Sequence, residues 1–150
     1  MRLQLAALTL SASALVGIAV HEGYKDKAYI PVPGDVPTIG FGTTDGVKQG
    51  DVTTVERALV RLIQDASKFE QAVKRCAPVP MHTYEFSALV SLTYNIGETA
   101  FCSSTLAKKL NEGDYKGACE QILRWDKFKG QSLAGLTKRR QQEYKMCLGQ

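Results

Sequence analysis

The stretch that decides the fold runs from Ala19 to Gly46 and reads "AVHEGYKDKAYIPVPGDVPTIGFGTTDG". An apolar segment leads into it and ends at Glu22, and the next residue, Gly23, favours the left-handed backbone that commonly ends a helix. Prolines and glycines then separate short runs rich in Tyr, Ile and Thr, a composition typical of strands and tight turns. The sequence therefore predicts a helix that ends at a carboxylate and leads directly into a β-hairpin.

Helical patterns fill most of the chain after the hairpin. "TTVE" (residues 53–56) has the spacing of a capping box, and apolar residues keep a helical period over residues 55–73. The stretch "YEFSALVSLTYNIG", which Thr83 can cap and Gly97 ends, is nearly all apolar and predicts a central core helix. Two shorter capped helices and a loop, "DKFKGQSLAG", precede a last helix over residues 136–147.

A chain of 150 residues is predicted to form one domain with a sizeable core. We expect an α+β fold with a small β lobe inserted between a first helix and a larger helical lobe. Residues 1–21 form the apolar first helix in this prediction, residues 24–50 the β lobe and residues 51–150 the helical lobe.

The segment from Leu3 to Val20, "LQLAALTLSASALVGIAV", carries no charge. Its length reaches the lower limit for a membrane span, yet its content of Ala, Ser, Thr and Gly makes insertion weak. Three interpretations stay open: a cleavable signal with residues 12–14 as the cleavage site, a buried first helix, or a marginal span that enters the membrane and later leaves it. We favour the buried helix, with a transient membrane stage.

The net charge of +4 favours anionic partners such as nucleic acid, anionic lipid or an acidic wall polymer. A solvated basic face has the same composition, so charge alone supports both interpretations. The surplus of positive charge lies late in the chain, in Lys127, Lys129, Lys138, Arg139 and Arg140.

Four cysteines are spaced too widely for a metal motif, and the two histidines offer no ligand pattern, so no metal site is predicted. An even number at wide spacing favours two disulfides and an oxidising compartment, whereas four reduced thiols would fit a cytosolic protein. Three pairings are possible. We prefer the one that joins presumed neighbouring helices, Cys76–Cys102 with Cys119–Cys147.

Glu22 is the first candidate for chemistry because it lies where a helix ends. The negative end of the helix dipole and the apolar neighbours Val20 and Tyr24 disfavour its anion. A carboxyl group that keeps its proton can act as a general acid. A solvated glutamate at a helix end is the alternative, purely structural interpretation.

The hairpin offers Asp35 and Thr38 as partners for Glu22. If the strand of Thr38 lies beside Glu22, a carboxyl group and a carboxylate face each other across a cleft, as glycoside hydrolysis requires. The threonine hydroxyl can then orient the attacking water. Asp35 follows Pro-Gly and is also an ordinary turn residue, and Asp26 and Asp45 are weaker candidates for the second acid.

Two further motifs lie outside this pair of acids. "GFGTTDG" (residues 40–46) lacks the spacing of a nucleotide-binding loop, so its glycines predict close backbone approach beside a cleft. "RWDKFKG" (residues 124–130) mixes aromatic and basic side chains that can stack on sugars or bases. Anchoring of a helix to the core by Trp125 is the alternative.

Four separated stretches resemble the phage-type lysozymes, the endolysins of glycoside hydrolase family 24. They occur in the family's order: "HEGYKDKAY…GDVPTIGFGTTDGV" from residue 21, "ALVSLTYNIG" from residue 88, "FCSSTLAKKLNEGDYKGACEQILRW" from residue 101 and "GLTKRRQQEYKMCLG" from residue 135. The resemblance covers nearly the whole chain.

This resemblance implies a lysozyme-like α+β fold and an inverting muramidase without cofactor. Its substrate is the β-1,4 bond between N-acetylmuramic acid and N-acetylglucosamine. Glu22 matches the family's general acid, and Thr38 matches its threonine. Asp35 is the nearest acid in this hairpin, which is one residue longer than the family pattern. Tyr94 and Asn95 match a stretch that lines the family's cleft.

The resemblance also implies partners and a location. The enzyme is expected to be a monomer that degrades peptidoglycan from the host periplasm and binds no nucleic acid. Residues 3–20 resemble the signal-arrest-release segments of some family members, which tether an inactive enzyme to the inner membrane until that membrane depolarises.

Three alternatives remain. A lytic transglycosylase also centres on one glutamate but forms an anhydro sugar. A nucleic-acid-binding module is suggested by the basic "TKRRQQEYK" (residues 137–145). A membrane-anchored structural protein assigns no role to Glu22, Asp35 and Thr38.

Overall fold

A computed structural model describes residues 1–150 as seven α-helices, one short 3-10 helix (Leu5–Ala7) and two short antiparallel hairpins. In chain order the elements are α1 (Ala12–Glu22), β1 (Lys25–Tyr29), β2 (Thr38–Gly40), α2 (Val55–Cys76), α3 (Thr83–Ile96), α4 (Glu98–Cys102), α5 (Thr105–Asn111), α6 (Tyr115–Ile122), β3 (Lys127–Phe128), β4 (Gln131–Ser132) and α7 (Ala134–Cys147). The predicted α+β architecture, with a hairpin after the first helix, is confirmed.

The first helix is shorter than predicted. The prediction of a helix over residues 1–21 is wrong for residues 1–11, because Ser11 caps α1 by accepting a hydrogen bond from the Ala14 amide at 3.2 Å. Before the cap, Leu3 forms a backbone bridge with Met81, and Leu8 is fully buried. No helix of the structure combines the length and the apolar character that a membrane span needs.

The first hairpin packs against α2. Its strands pair antiparallel, with Tyr29 opposite Thr38 and Lys25 opposite Gly40, and a bulge lies between the two pairs. Gly40 has φ +64°, and a Cβ there would come within 2.9 Å of the Ala58 Cβ on α2. A side chain would therefore push the hairpin off the helix.

Helix α3 is the centre of the core, as its apolar sequence predicts. It packs against α1, α2 and α7, and its residues from Glu85 to Thr93 are all buried. Its cap is His82, whose amide donates to the Glu85 carboxylate at 2.7 Å, so the predicted cap Thr83 is one residue late. The largest buried apolar side chains around α3 are Leu8, Ile18, Leu62, Met81, Phe86, Leu89, Leu92, Phe101, Leu106, Leu110 and Ile122.

Two disulfides tie the helical lobe together. Cys76 at the end of α2 bonds to Cys102 on α4, and Cys119 on α6 bonds to Cys147 at the end of α7. These are the pairs preferred from the sequence, and each joins two helices that pack against each other.

The predicted loop "DKFKGQSLAG" contains a second hairpin instead. Strands β3 and β4 pair Lys127 with Ser132 and Phe128 with Gln131. Lys129 and Gly130 form the turn, and both have positive φ, 49° and 81°. Two central residues with positive φ match the tight hairpin turn whose twist suits antiparallel strands, so the Lys-Gly pair is the local signal for this hairpin. Helix α7 begins at Ala134, two residues earlier than predicted.

Candidate active site

A cleft of about 710 Å³ separates the first hairpin from the helical lobe. The end of α1, the hairpin and the end of α3 each contribute to its walls. All five residues that the sequence assigns to catalysis or substrate binding line this one cleft: Glu22, Asp35, Thr38, Tyr94 and Asn95.

Glu22 is the last residue of α1 and forms an ion pair. Its side chain is 19% exposed, and its Oε1 accepts a hydrogen bond from Nη1 of Arg139 at 2.9 Å. Arg139 lies on α7 and is buried. The structure therefore fixes the orientation of the carboxyl group at the cleft and places one unpaired oxygen, Oε2, toward the hairpin side, where Gly42 lies.

The sequence does not predict the role of Arg139. The expectation that Arg139 and Arg140 belong to a basic surplus facing anionic partners or solvent is wrong for both residues. Both are buried, because Glu143 lies three and four positions further along α7 and pairs with each of them. A carboxylate at that helical spacing is the sequence signal that could have indicated an internal ion cluster.

Gly42 brings the backbone of the hairpin loop against Glu22. It has φ +87°, and a Cβ there would lie 2.9 Å from Glu22 Oε2. The prediction that the glycines of "GFGTTDG" allow close backbone approach beside a cleft is confirmed at this residue.

Thr38 and Asp35 belong to the part of the cleft that the first hairpin forms. Thr38 opens β2, is buried and donates from Oγ1 to the carbonyl of Val36 at 3.2 Å. Asp35 is exposed and accepts the Val36 amide at 2.8 Å through its own Oδ1. Asp35 therefore closes a turn, as its Pro-Gly context indicates, and it also borders the cleft through which substrate would pass.

Tyr94 and Asn95 lie at the end of α3, on the floor of the cleft. The Tyr94 hydroxyl donates to the carbonyl of Phe41 at 2.9 Å. Burial raises the pKa of Tyr94 well above its ordinary value, so its hydroxyl stays a hydrogen-bond donor. The Asn95 Oδ1 accepts from Arg140 at 3.0 Å, which leaves its amide NH₂ group available to a ligand.

Two further acids line the cleft and were not selected from the sequence as principal candidates. Asp45 is exposed and pairs with Lys68 at 2.8 Å, and this pairing holds the pKa of Asp45 below its usual range. Asp65 is buried on α2 and accepts a hydrogen bond from Thr43 Oγ1 at 2.7 Å. Both carboxylates thus already have partners that tie the loop after β2 to α2.

The "RWDKFKG" stretch anchors the chain to the core, and its stacking on sugars stays a prediction. Trp125 packs against the core and its carbonyl accepts from Arg140 at 3.3 Å, so it anchors this part of the chain. Trp125, Lys127 and Phe128 also line the cleft, and Phe128 is exposed at its edge.

The residues that line this cleft lie within a stretch that matches a known protein family. The family model described as phage lysozyme matches residues 19–143, a range that contains every residue of the site. The chain belongs to the phage lysozyme family. It is therefore a lysozyme, an enzyme whose substrate is the peptidoglycan of the cell wall, and the predicted enzyme class is confirmed.

Relatives span the lysozyme almost end to end. An endolysin of Acyrthosiphon pisum secondary endosymbiont phage 1 is 41% identical over 89% of this chain and 94% of its own length. A SAR-endolysin of Pseudomonas phage phiKMV is 38% identical over 91% of this chain and 87% of its own. The muramidase domain of SpmX from Asticaccaulis excentricus has a solved structure with a TM-score of 0.86 and 31% identity, covering 94% of this chain and 98% of that one. The lysozyme-like fold is thereby confirmed.

Proposed function

We propose that this lysozyme is an endolysin with muramidase activity, in which Glu22 is the general acid and Asp35 and Thr38 position and activate water. The bond cleaved is the β-1,4 linkage between N-acetylmuramic acid and N-acetylglucosamine. The observation that carries the proposal is that Glu22 at the end of α1 and Asp35 and Thr38 of the hairpin line the same cleft.

The reaction follows from where the groups lie. Glu22 gives its proton to the glycosidic oxygen, and the bond to the anomeric carbon breaks with positive charge developing on the sugar ring. Water that accepts or donates a hydrogen bond at Thr38 attacks from the opposite face, and Asp35 takes the proton that this water loses. Attack from the face opposite the leaving group inverts the anomeric carbon.

Asp35 is favoured over the other cleft acids by its hydrogen bonds. Asp45 is paired with Lys68 and Asp65 with Thr43, so a proton accepted there would disrupt a contact that holds the loop after β2. Asp35 uses one oxygen for a backbone amide and has no ion-pair partner. It also lies on the exposed lip, where a side chain can turn toward substrate without disturbing the core.

Turbidity clearing of outer-membrane-permeabilised cells tests the assignment. Glu22→Gln is expected to lower the clearing rate about a thousandfold, since it removes the transferable proton and keeps the shape. Glu112→Gln, an exposed residue paired only with Lys108, is the matched control and should clear like the wild type. Near-normal clearing by Glu22→Gln would contradict the proposal.

Asp35→Asn separates the two parts of the proposal. A fall of about a hundredfold is expected, with Asp26→Asn on exposed β1 as the control. Turnover close to wild type would show that Asp35 is only a turn residue, while leaving the role of Glu22 intact.

The products distinguish hydrolysis from transglycosylation. A hydrolase releases muropeptides with reducing ends, and a lytic transglycosylase releases anhydro ends. Mass spectrometry of released muropeptides should show reducing ends only, and NMR of the fresh product should show the inverted anomer first. Anhydro ends would replace the hydrolase proposal with the transglycosylase.

We further propose that residues 3–20 hold the newly made lysozyme in the inner membrane before it acts. The relative from phage phiKMV is a SAR-endolysin, which supports this. A second support is that α1 stays apolar on its outer face, where Val16 is 62% and Val20 75% exposed. A helix shaped only for a soluble fold places polar residues there, whereas a membrane stage requires apolar residues all round.

The membrane and folded forms exclude each other. In the folded lysozyme Leu8 and Ile18 are fully buried and Ser11 caps α1, so residues 3–20 cannot also form one continuous span. Release from the membrane would therefore build α1 and bring Glu22 to the cleft. The active form in this proposal is a periplasmic monomer that needs no cofactor and binds no nucleic acid, consistent with the burial of Arg139 and Arg140.

Cell fractionation before and after an uncoupler tests the membrane stage. Wild-type protein is expected in the membrane fraction first and in the soluble periplasmic fraction afterwards. Val16→Lys changes a residue that is 62% exposed in the folded form, so it should leave purified activity intact and weaken membrane association. Purely cytosolic wild-type protein at all times would contradict the proposal.

A further inference from the structure

Behind Glu22 lies a buried ion cluster that reaches from α1 across α7 to α3. Arg139 donates from Nη1 to Glu22 at 2.9 Å and from Nε to Glu143 Oε1 at 3.2 Å. Arg140 approaches the same carboxylate, with its Nε 2.7 Å from Glu143 Oε2. The Ser91 hydroxyl on α3 donates to Glu143 Oε1 at 2.7 Å.

The cluster raises a chemical difficulty for an acid. A carboxyl group that accepts a hydrogen bond from a buried guanidinium is favoured as its anion. A general acid must instead hold its proton until the glycosidic oxygen takes it. Arg139 fixes the geometry of Glu22, but its charge opposes the protonated form of Glu22.

A second carboxylate on the same guanidinium reduces this difficulty. Glu143 binds Arg139 from the side away from the cleft, and it is almost completely buried, so its charge is poorly screened by solvent. Arg139 has only these two acidic partners, Glu22 and Glu143. The positive charge that Glu22 experiences is thereby shared with Glu143.

We propose that Glu143 is a positioning residue, which holds the Arg139 guanidinium against Glu22 and offsets part of its charge, so that Glu22 keeps its proton to higher pH than it would without Glu143. This inference rests on the proposed role of Glu22 as general acid. Glu143 itself touches no substrate, because it lies behind Arg139.

Other ionisable groups around Glu22 do not replace Glu143. Tyr94, across the cleft floor, is kept neutral by burial, which raises its pKa. His21, the preceding residue, has its pKa lowered by burial and then by Arg139, so it is neutral near pH 7. Asp35 and Asp45 line the same cleft but lie on its solvent-exposed side. Arg140 adds positive charge and is itself paired with Glu143.

The pH dependence of hydrolysis tests the proposal. Glu143→Gln keeps the shape and removes the charge, so Arg139 should hold Glu22 as an anion down to lower pH. The alkaline limb of the rate profile is expected to move about one pH unit lower, with about a tenfold loss of rate at pH 7. Glu112→Gln makes the same chemical change on the surface and should leave the limb in place. A lower melting temperature with an unshifted limb would overturn the proposal, since that is the result of a purely structural role.

A direct titration keeps this test separate from the proposed function. Carboxyl ¹³C NMR of glutamate-labelled protein, with Glu22→Gln for assignment, follows the Glu22 carboxyl itself. Its titration midpoint should fall in Glu143→Gln, and an unchanged midpoint would overturn the inference. Full activity of Glu22→Gln would instead contradict the proposed role of Glu22 as general acid. The titration would still measure how strongly Glu143 affects the protonation of Glu22.

A conservative variant covers a failure to fold. Glu143→Asp keeps the charge but draws it one methylene away from Arg139. If Glu143→Gln does not fold, Glu143→Asp is expected to move the alkaline limb and the Glu22 titration midpoint to lower pH. The rate at pH 7 should then fall about threefold. Absence of any shift in that variant would also overturn the proposal.

Discussion

The two walls of the cleft hold their functional groups in different ways. On the helical wall, Glu22 is held by charge, because Arg139 donates to it from a buried position on α7. On the hairpin wall, Thr38 and Asp35 are held by the main chain, since each makes its hydrogen bond to a backbone atom of Val36.

This difference has consequences for stability and for activity. Removal of one partner from a buried ion pair leaves a charge without compensation, which is strongly destabilising. A side chain that bonds to backbone at the surface can be changed with little effect on folding. Changes at Glu22 and Arg139 are therefore expected to affect both stability and activity, and a change of the exposed Asp35 activity alone.

The largest expected effect is on the helical wall. Arg139→Gln leaves Glu22 and Glu143 without their shared cation, and it should lower the free energy of unfolding by about 3–5 kcal/mol. Urea denaturation measures this loss. Lys138→Gln removes a charge from the exposed neighbouring residue and should cost less than about 0.5 kcal/mol. Equal losses in the two variants would remove the distinction between the walls.

The second-largest effect is expected from loss of the Cys119–Cys147 disulfide, which holds the end of α7. Replacing Cys119 and Cys147 by serine frees the end of α7 and should cost about 2–4 kcal/mol, read as a lower melting temperature. Because α7 carries Arg139, we also expect reduced turnover of the folded enzyme. The matched double variant of Cys76 and Cys102 should lose similar stability and keep its turnover. Identical turnover in both variants would show that α7 is positioned without its disulfide.

Gly42 tests the place where the two walls meet. A Cβ at Gly42 would lie 2.9 Å from Glu22 Oε2, so Gly42→Ala should displace the carboxyl group. We expect about a hundredfold loss of turnover, the size of effect that a misplacement of about 1 Å produces. Gly46→Ala is the control, because Gly46 also has positive φ, +70°, but has open space around its Cβ position. A similar loss in both variants would assign the effect to backbone strain rather than to Glu22.

The smallest effect concerns His21 and pH. Burial, and next the charge of Arg139, lower the pKa of His21 from its usual 6.5. The unfolded chain therefore binds this proton more readily than the folded one, and stability is lost as the pH falls below about 6.5. His21→Gln should reduce the drop in melting temperature between pH 7 and pH 5. An unchanged drop would show that other groups cause it.

Local features of this lysozyme were predictable because their signals lie close together in the chain. The helix that ends at Glu22-Gly23, the hairpin that follows and the apolar α3 all depend on neighbouring residues. Asp114 caps α6 through an equally local contact, since its carboxylate accepts the Gly117 amide at 2.9 Å. The second hairpin was missed although its Lys-Gly turn is also local, because two-residue strands show no periodicity.

The start of α1 shows where local signals mislead. The sequence of residues 3–20 predicts one uncharged helical segment, yet the α-helix begins only at Ala12, after a single 3-10 turn at Leu5–Ala7. The earlier residues gain more from tertiary contacts: Leu3 pairs its backbone with Met81, and Leu8 enters the core. Such contacts override helix propensity, which is a weak preference.

By itself, the sequence determined which residues carry acid and hydroxyl groups at the helix end and in the hairpin, and which family motifs surround them. Only the tertiary structure decided what Glu22 faces. Arg139 stands 117 positions away, and the packing of α1 and α7 against α3 brings the two side chains together. The sequence predicts Arg139 and Arg140 as surface charges, but both are buried in the structure. Their burial is possible because the carboxylate of Glu143, one helical turn away, pairs with both of them in an ion cluster.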